Sequence, residues 1–149
     1  MKVSDIMDPS PDIIRTSDTF ENLIKILGEV KYHVVFVVDG EDKLVGIVTE
    51  GDIIKVLVPK YVTVDESLIS VMDVNYFERK CKECKDLTIN EIMSKTTFLV
   101  REEDPIIKAV ALMVVNKIHT IPVVRDNKVV GIVSRLTLIK HITKVLTEH

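Results

Sequence analysis

Three short patterns in this 149-residue chain have residue types that bind or react. The first is Thr49-x-x-Asp52, placed between an apolar run and a helical one. A helix starting there offers unpaired N–H groups and a partial positive charge, a seat for an anion such as phosphate. A carboxylate one turn further on accepts two hydrogen bonds side by side, which suits the 2′- and 3′-hydroxyls of a ribose. Gly46, just ahead, permits close backbone approach. The same Thr-x-x-Asp spacing is also a capping box, in which the side chains satisfy their own helix. The two roles are compatible, because the hydroxyl has more than one hydrogen-bonding site.

The second pattern is Ser134-Arg135-x-Thr137. Here a hydroxyl stands where the first pattern has a carboxylate, and it gives at most one short bond to a diol instead of two. Ser134 still suits a cap or a phosphate, and Arg135 adds charge. The third pattern is Cys81-x-x-Cys84. Zinc or redox chemistry is open to such a pair, and so is a role as idle, half-buried thiols. There is no second cysteine pair for a four-cysteine zinc site. His33 and His119 precede apolar runs and read either as a metal pair or as backbone-bonded residues. No nucleophile–base pair, metal triad or P-loop is present, so neither an enzyme nor a metal centre is expected.

The elements that position these residues come in duplicate, and a repeat outranks any single motif. At an offset of 86, residues 5–38 match residues 91–124 with eight of 34 positions identical. Among these identities are Lys31/Lys117 and His33/His119. At an offset of 85, residues 43–57 match residues 128–142 with seven of 15 identical, including Gly46/Gly131. Each copy predicts the order β-α-β-β-α. An extended piece (residues 13–15 or 98–101) precedes a helix starting at Asp18 or Asp104. Asp18 is placed as a cap, and Pro105 sits in a tolerant first turn. Two apolar strands follow as a hairpin, residues 34–38 with 44–48 and residues 121–124 with 129–133. A closing helix covers residues 52–57, stopped by Pro59, or runs from 136 to about 146.

Strands this apolar imply burial on both faces. A unit of about 60 residues has too little core to bury them alone. The expected fold is therefore α/β (α+β), two repeated units packed sheet to sheet about a pseudo-twofold axis. The repeats are assigned to residues 1–59 and 87–149, with a structured connector at 60–86. In that connector Thr63 and Glu66 have capping-box spacing, and Leu68, Met72, Tyr76 and Phe77 are candidates to face inward.

Composition narrows the function. Twenty basic against 23 acidic residues give a net charge of −3, which leaves no field for non-specific nucleic-acid binding. Aromatics are 5% with no Trp, too few for a base-stacking platform. The longest apolar run is far short of a membrane span, and Lys2, Ser4 and Asp5 interrupt any apolar leader. The expectation is a cytoplasmic protein with no nucleic-acid or membrane partner.

Taken together, these residues resemble a tandem pair of cystathionine β-synthase (CBS) domains, a Bateman module. The resemblance rests on Asp5-Ile6-Met7 and Glu91-Ile92-Met93, on His119-Thr120-Ile121-Pro122-Val123-Val124 with its looser counterpart from His33, and on Gly46-Ile47-Val48-Thr49-Glu50-Gly51-Asp52, echoed from Gly131. It covers all but the connector. It implies a regulatory module that binds an adenosine-containing ligand (AMP, ADP or ATP, with S-adenosylmethionine or NAD-type molecules as alternatives). It also implies a homodimer and an unidentified regulated protein. No obligatory cofactor follows, only an adenine nucleotide as regulatory ligand.

By resemblance, Thr49 meets phosphate or ribose and Asp52 meets ribose. The backbone of Val34 and Val35, or of Thr120 and Ile121 beside Pro122, reads adenine, while Ser10, Thr96 and Thr97 line the cleft. Thr137 and Phe36 depart from the pattern. They point to one site, around Thr49 and Asp52, that binds more tightly than the other. They also leave open a constitutive scaffold whose sites have decayed.

Overall fold

In a computed structural model that describes residues 1–95 and 98–148, both apolar strand pairs close as hairpins. The first repeat contains β1 (Ile13–Arg15), α1 (Phe20–Leu27), β2 (Val34–Val38), β3 (Leu44–Thr49) and α2 (Glu50–Leu57). The connector holds α3 (Lys60–Val64), a 3-10 segment (Glu66–Val71) and α4 (Tyr76–Cys84). The second repeat contains α5 (Ile89–Ile92), β4 (Ser94–Lys95), α6 (Ile106–Val115), β5 (Thr120–Arg125), β6 (Lys128–Ser134) and α7 (Arg135–Thr147).

Sheet order is β1-β2-β3-β4, with β1 parallel to β2 and the other pairs antiparallel; β5 and β6 form the second hairpin. All five residues of β2 are buried, as a strand covered on both faces must be. The hairpin turn at Asp126 and Asn127 has two consecutive positive φ values, 53° and 65°, the mirror-type turn that matches strand twist.

Three apolar cores result. One lies under the first hairpin (Leu23, Val35, Val37, Val48) and one under the second (Ala109, Ile121, Val123, Val133). The third joins the hairpins: Val34 and Phe36 of β2 meet Ile132 of β6, with Ile47 and Val129 packed on them. A backbone bond from Leu44 N–H to the Asn127 carbonyl crosses the same seam at 3.0 Å. This is the expected packing of sheet against sheet.

One arrangement was invisible in the sequence. The segment leading into each repeat packs on the other repeat. Val3 is fully buried in the second core, and Asp8 bridges Ile132 through paired backbone bonds of 2.9 Å. Ile89 and Ile92 fill the first core instead, and β4 pairs with β3. Glycine makes both crossings possible. A Cβ on Gly46 would lie 2.6 Å from Met93 Sδ and 2.8 Å from the Ser94 carbonyl oxygen. On Gly131 it would lie 2.7 Å from Met7 Sδ and 3.0 Å from the Asp8 carbonyl oxygen.

Local details differ from expectation where a neighbour wins the contested group. Thr19 caps α1, because the Asp18 carboxylate accepts the Arg15 N–H instead. The extended piece at 98–101 contracts to a single parallel bridge, Val100 with Val123. In the connector, Thr63 donates to the Lys60 carbonyl and Asp65 caps the 3-10 segment, so no box forms there. Phe77 is 61% exposed; Leu68, Met72 and Tyr76 are half-buried. Cys84 is buried in the first core and burial pushes its thiol pKa up, away from reactivity.

Candidate functional site

Each β-to-helix corner was a candidate, and the two are built differently. At the first, β3 ends on Thr49, whose extended backbone (φ −114°, ψ 169°) caps α2. Its N–H and Oγ1 donate to Asp52 Oδ2 at 2.9 and 3.2 Å. The other carboxylate oxygen, Oδ1, accepts a bond of 3.0 Å from Ser94 Oγ, which arrives on the crossing segment from the second repeat. Both Thr49 and Asp52 stay half-exposed, and Oδ1 keeps a lone pair for a further donor.

At the second corner the cap closes on itself. Thr137 Oγ1 accepts the Ser134 N–H at 2.8 Å and donates to the Ser134 carbonyl at 2.9 Å, while Ser134 Oγ accepts the Thr137 N–H at 3.2 Å. These residues are only 3% and 8% exposed. The carboxylate missing from position 137 reappears across the gap at Asp8, the repeat counterpart of Ser94. Asp8 Oδ2 accepts the Tyr32 hydroxyl at 2.6 Å and sits 3.4 Å from Lys31 Nζ. The Tyr32 hydrogen bond is the main influence holding the Asp8 carboxyl below its usual range. A small cavity of about 300 Å³ lies beside this group, bordered by Thr137, Lys140 and Lys144.

The larger cavity, a cleft of about 890 Å³, opens between the repeats. It gathers seven of the candidate residues: His33, Val34, Thr49, Asp52, Thr120, Ser134 and Arg135. Ser94, Glu50 and Lys117 line it too. Other candidates are placed elsewhere. Val35 and Ile121 are fully buried core residues. Strand alternation explains their exclusion: the backbone of Phe36 and Val38 faces β1, so Val34 shares that open edge while Val35 faces β3. The same rule puts Thr120 at an edge and turns Ile121 toward β6. Pro122 is buried, and its carbonyl accepts the Val100 N–H. Gly46 is covered by Met93 and Ser94, so its missing side chain makes room for the protein's own backbone. Ser10 is exposed beside Asp8, outside the cleft. Thr137 borders the smaller cavity. Thr96 and Thr97 lie outside the described residues.

The two repeat-related imidazoles have opposite partners. His33 Nδ1 lies 2.8 Å from the Glu50 carboxylate, so it donates. His119 Nδ1 lies 3.3 Å from Arg135 Nη2, and since a guanidinium only donates, this nitrogen accepts. Glu50 and Arg135 occupy the same repeat position with opposite charge. Sequence reasoning passed over Lys117 and Ser94. The repeat identity Lys31/Lys117 was the available signal for the first; the second needed the crossing of the leading segments.

Comparison with known proteins places this geometry. The family model for the CBS domain matches residues 3–59 and again 89–144. The CBS domain of a CBS domain-containing membrane protein from Sphaerobacter thermophilus is 30% identical, with a TM-score of 0.73 over 94% of this chain and 86% of that one. The CBS domain pair of protein MJ0100, solved with 5′-methylthioadenosine and S-adenosyl-L-methionine, is 26% identical with a TM-score of 0.72, covering 97% and 98% of the two chains. CBSX2, which is from Arabidopsis thaliana and was solved with AMP, has the same fold at 22% identity and a TM-score of 0.72, over 97% and 98%. With two matched copies, crossed leading segments and a cleft at their seam, the chain belongs to the CBS-domain family as a tandem pair.

Proposed function

We propose that this protein is a regulatory module that binds an adenosine-containing ligand in the cleft between its repeats and passes that state to a partner protein. The observation that carries the reading is Asp52, half-exposed in the cleft with one oxygen committed to Thr49 and the other turned to Ser94. A ribose diol can take the remaining acceptor positions. Thr49 and the start of α2 then face the phosphate side, and the edge backbone of Val34 or Thr120 is available to an adenine. S-adenosylmethionine and 5′-methylthioadenosine in the MJ0100 pair, and AMP in CBSX2, support an adenosine ligand.

The closed cap at Ser134 and Thr137 supports a single strong site per chain. No chemistry is assigned to the module beyond binding. Its dimer is proposed to form through the exposed apolar side of α2 and α7, where repeat-related Ile54 and Ile139 are joined by Ile142. A cytoplasmic location is part of the same proposal. Among the described residues no helix is long and apolar enough to cross a membrane.

Titration calorimetry and thermal melting with adenosine, AMP, ADP, ATP and S-adenosylmethionine test the proposal. A ligand at 100 times its Kd stabilises by about 2.7 kcal/mol, or roughly 5–10 °C in Tm for a chain this size. Asp52→Ala should weaken binding at least about tenfold, since a charge-assisted pair of bonds is lost. Flat responses to every adenosine compound would leave a scaffold module instead.

A further inference from the structure

Two residues of the large cleft break local rules of their own elements. Lys117 follows α6 in a Schellman motif: the Ile118 N–H bonds to the Met113 carbonyl at 3.0 Å and the Lys117 N–H to that of Val114 at 3.4 Å. This puts Lys117 at φ 54°, the left-handed position where glycine is the residue of choice. Arg135 opens α7, placing a cation against the positive end of a 13-residue helix with no acidic residue in its first turn. Both choices work against the ligand-free fold, and both side chains line the same cleft. Sequences depart from local preference where function asks for it.

The charges of the cleft show what is asked. Glu50 lies against His33, Asp52 accepts only from the neutral Thr49 and Ser94 groups, and Lys31 pairs with Asp8 over the Tyr32 ring. Among the described residues, neither Lys117 nor Arg135 pairs with a carboxylate; the Arg135 guanidinium is hydrogen-bonded to His119 Nδ1. Lys117 and Arg135 thus line the cleft on the second repeat without a carboxylate partner, and Asp52 lines it on the first without a cationic one, so the two ends of the cleft differ in charge.

Resting on the adenosine reading above, we propose that the cleft selects its ligand by phosphate count. Lys117 and Arg135 favour a nucleoside di- or triphosphate over a monophosphate, and disfavour a sulfonium such as S-adenosylmethionine. An anion between them would relieve Arg135 at the helix end and reward the strained Lys117. It would also tie the ribose-facing corner of the first repeat to the helix start of the second.

Calorimetry at low ionic strength, with AMP, ADP, ATP and S-adenosylmethionine, tests this on the wild type and on Arg135→Gln and Lys117→Gly. ATP and ADP should bind about tenfold or more tighter than AMP, the size of one charge-assisted phosphate bond, and S-adenosylmethionine should bind weakest. Each variant should lose about tenfold in ATP affinity and a smaller factor in AMP affinity. Each should also melt, without ligand, at or above the wild-type temperature, because a local conflict has been removed. AMP binding as tightly as ATP, S-adenosylmethionine binding tightest, or equal losses for AMP and ATP in the variants would overturn the selection and leave the adenosine reading standing. No binding by any of the four would overturn both. A lower ligand-free Tm in both variants would overturn the argument from local conflict.

Discussion

Phe36→Ala tests whether the repeats share one core. Phe36 is the largest fully buried side chain, and it lies at the seam with Val34 and Ile132, not under either hairpin alone. Truncating a buried Phe costs about 3–5 kcal/mol, from lost transfer energy and from the cavity left behind. An unfolding entropy near 2.1 cal/mol/K per residue, over 149 residues, gives about 0.3 kcal/mol/K. The Tm should therefore fall by roughly 10–16 °C. The transition should stay single, because Val3 is buried in the second core and Ile89 in the first, so neither half can unfold and leave the other intact. Calorimetry at fixed protein concentration reads both quantities. A fall of only about 2 °C, well under the core-truncation range, would refute the shared seam. Two separate transitions, of which one moves, would refute the exchange of leading segments.

Two further perturbations read local geometry. Gly46→Ala and Gly131→Ala should each destabilise by about 1–3 kcal/mol, as overpacking does, and Gly46→Ala should cost more because the obstructing backbone oxygen is closer, at 2.8 against 3.0 Å. Urea melts with an unchanged m-value check this. Acid should loosen the Asp8 cluster: a carboxyl whose folded pKa is depressed stabilises above its unfolded value, about 3.9, and that stability is lost as pH falls through the folded value. Tm should therefore fall as pH drops below about 4, and Tyr32→Phe, which removes the main cause of the depression, should lessen that fall.

The elements were legible because strand burial writes itself as continuous apolar runs and the repeat read each run twice. Residues 34–38 carry that pattern without interruption, and β2 has those bounds. Contests between neighbours were not legible. Asp18 and Thr19 both suit a cap, and only the turn at Arg15 decides which carboxylate or hydroxyl is left for the helix. Within the site, Thr49 and Asp52 stood out by spacing, since one helical turn joins them. Val34 could not be told from Val35, because which of two adjacent residues faces an open edge depends on the neighbouring strand β1. Ser94 and Asp8 were further out of reach. Their roles exist only because each leading segment crosses to the opposite repeat.

That crossing also limits how binding can be signalled. A hinge that swung the repeats apart would have to pull Val3 and Ile89 from their cores and break the paired bonds between Asp8 and Ile132. A ligand shifts an equilibrium only by its difference in affinity for the two states. Undoing several fully buried contacts exceeds what a few polar contacts in an open cleft supply. The states that a ligand can select therefore lie in parts not pinned by the crossing. The start of α7 is such a part: it borders the cleft at Arg135 and Ile139 and carries the exposed Ile142, whereas the start of α2 is tied to the crossing segment through Asp52 and Ser94. A small shift of α7 changes the apolar face offered to a second molecule while the seam at Phe36 stays closed.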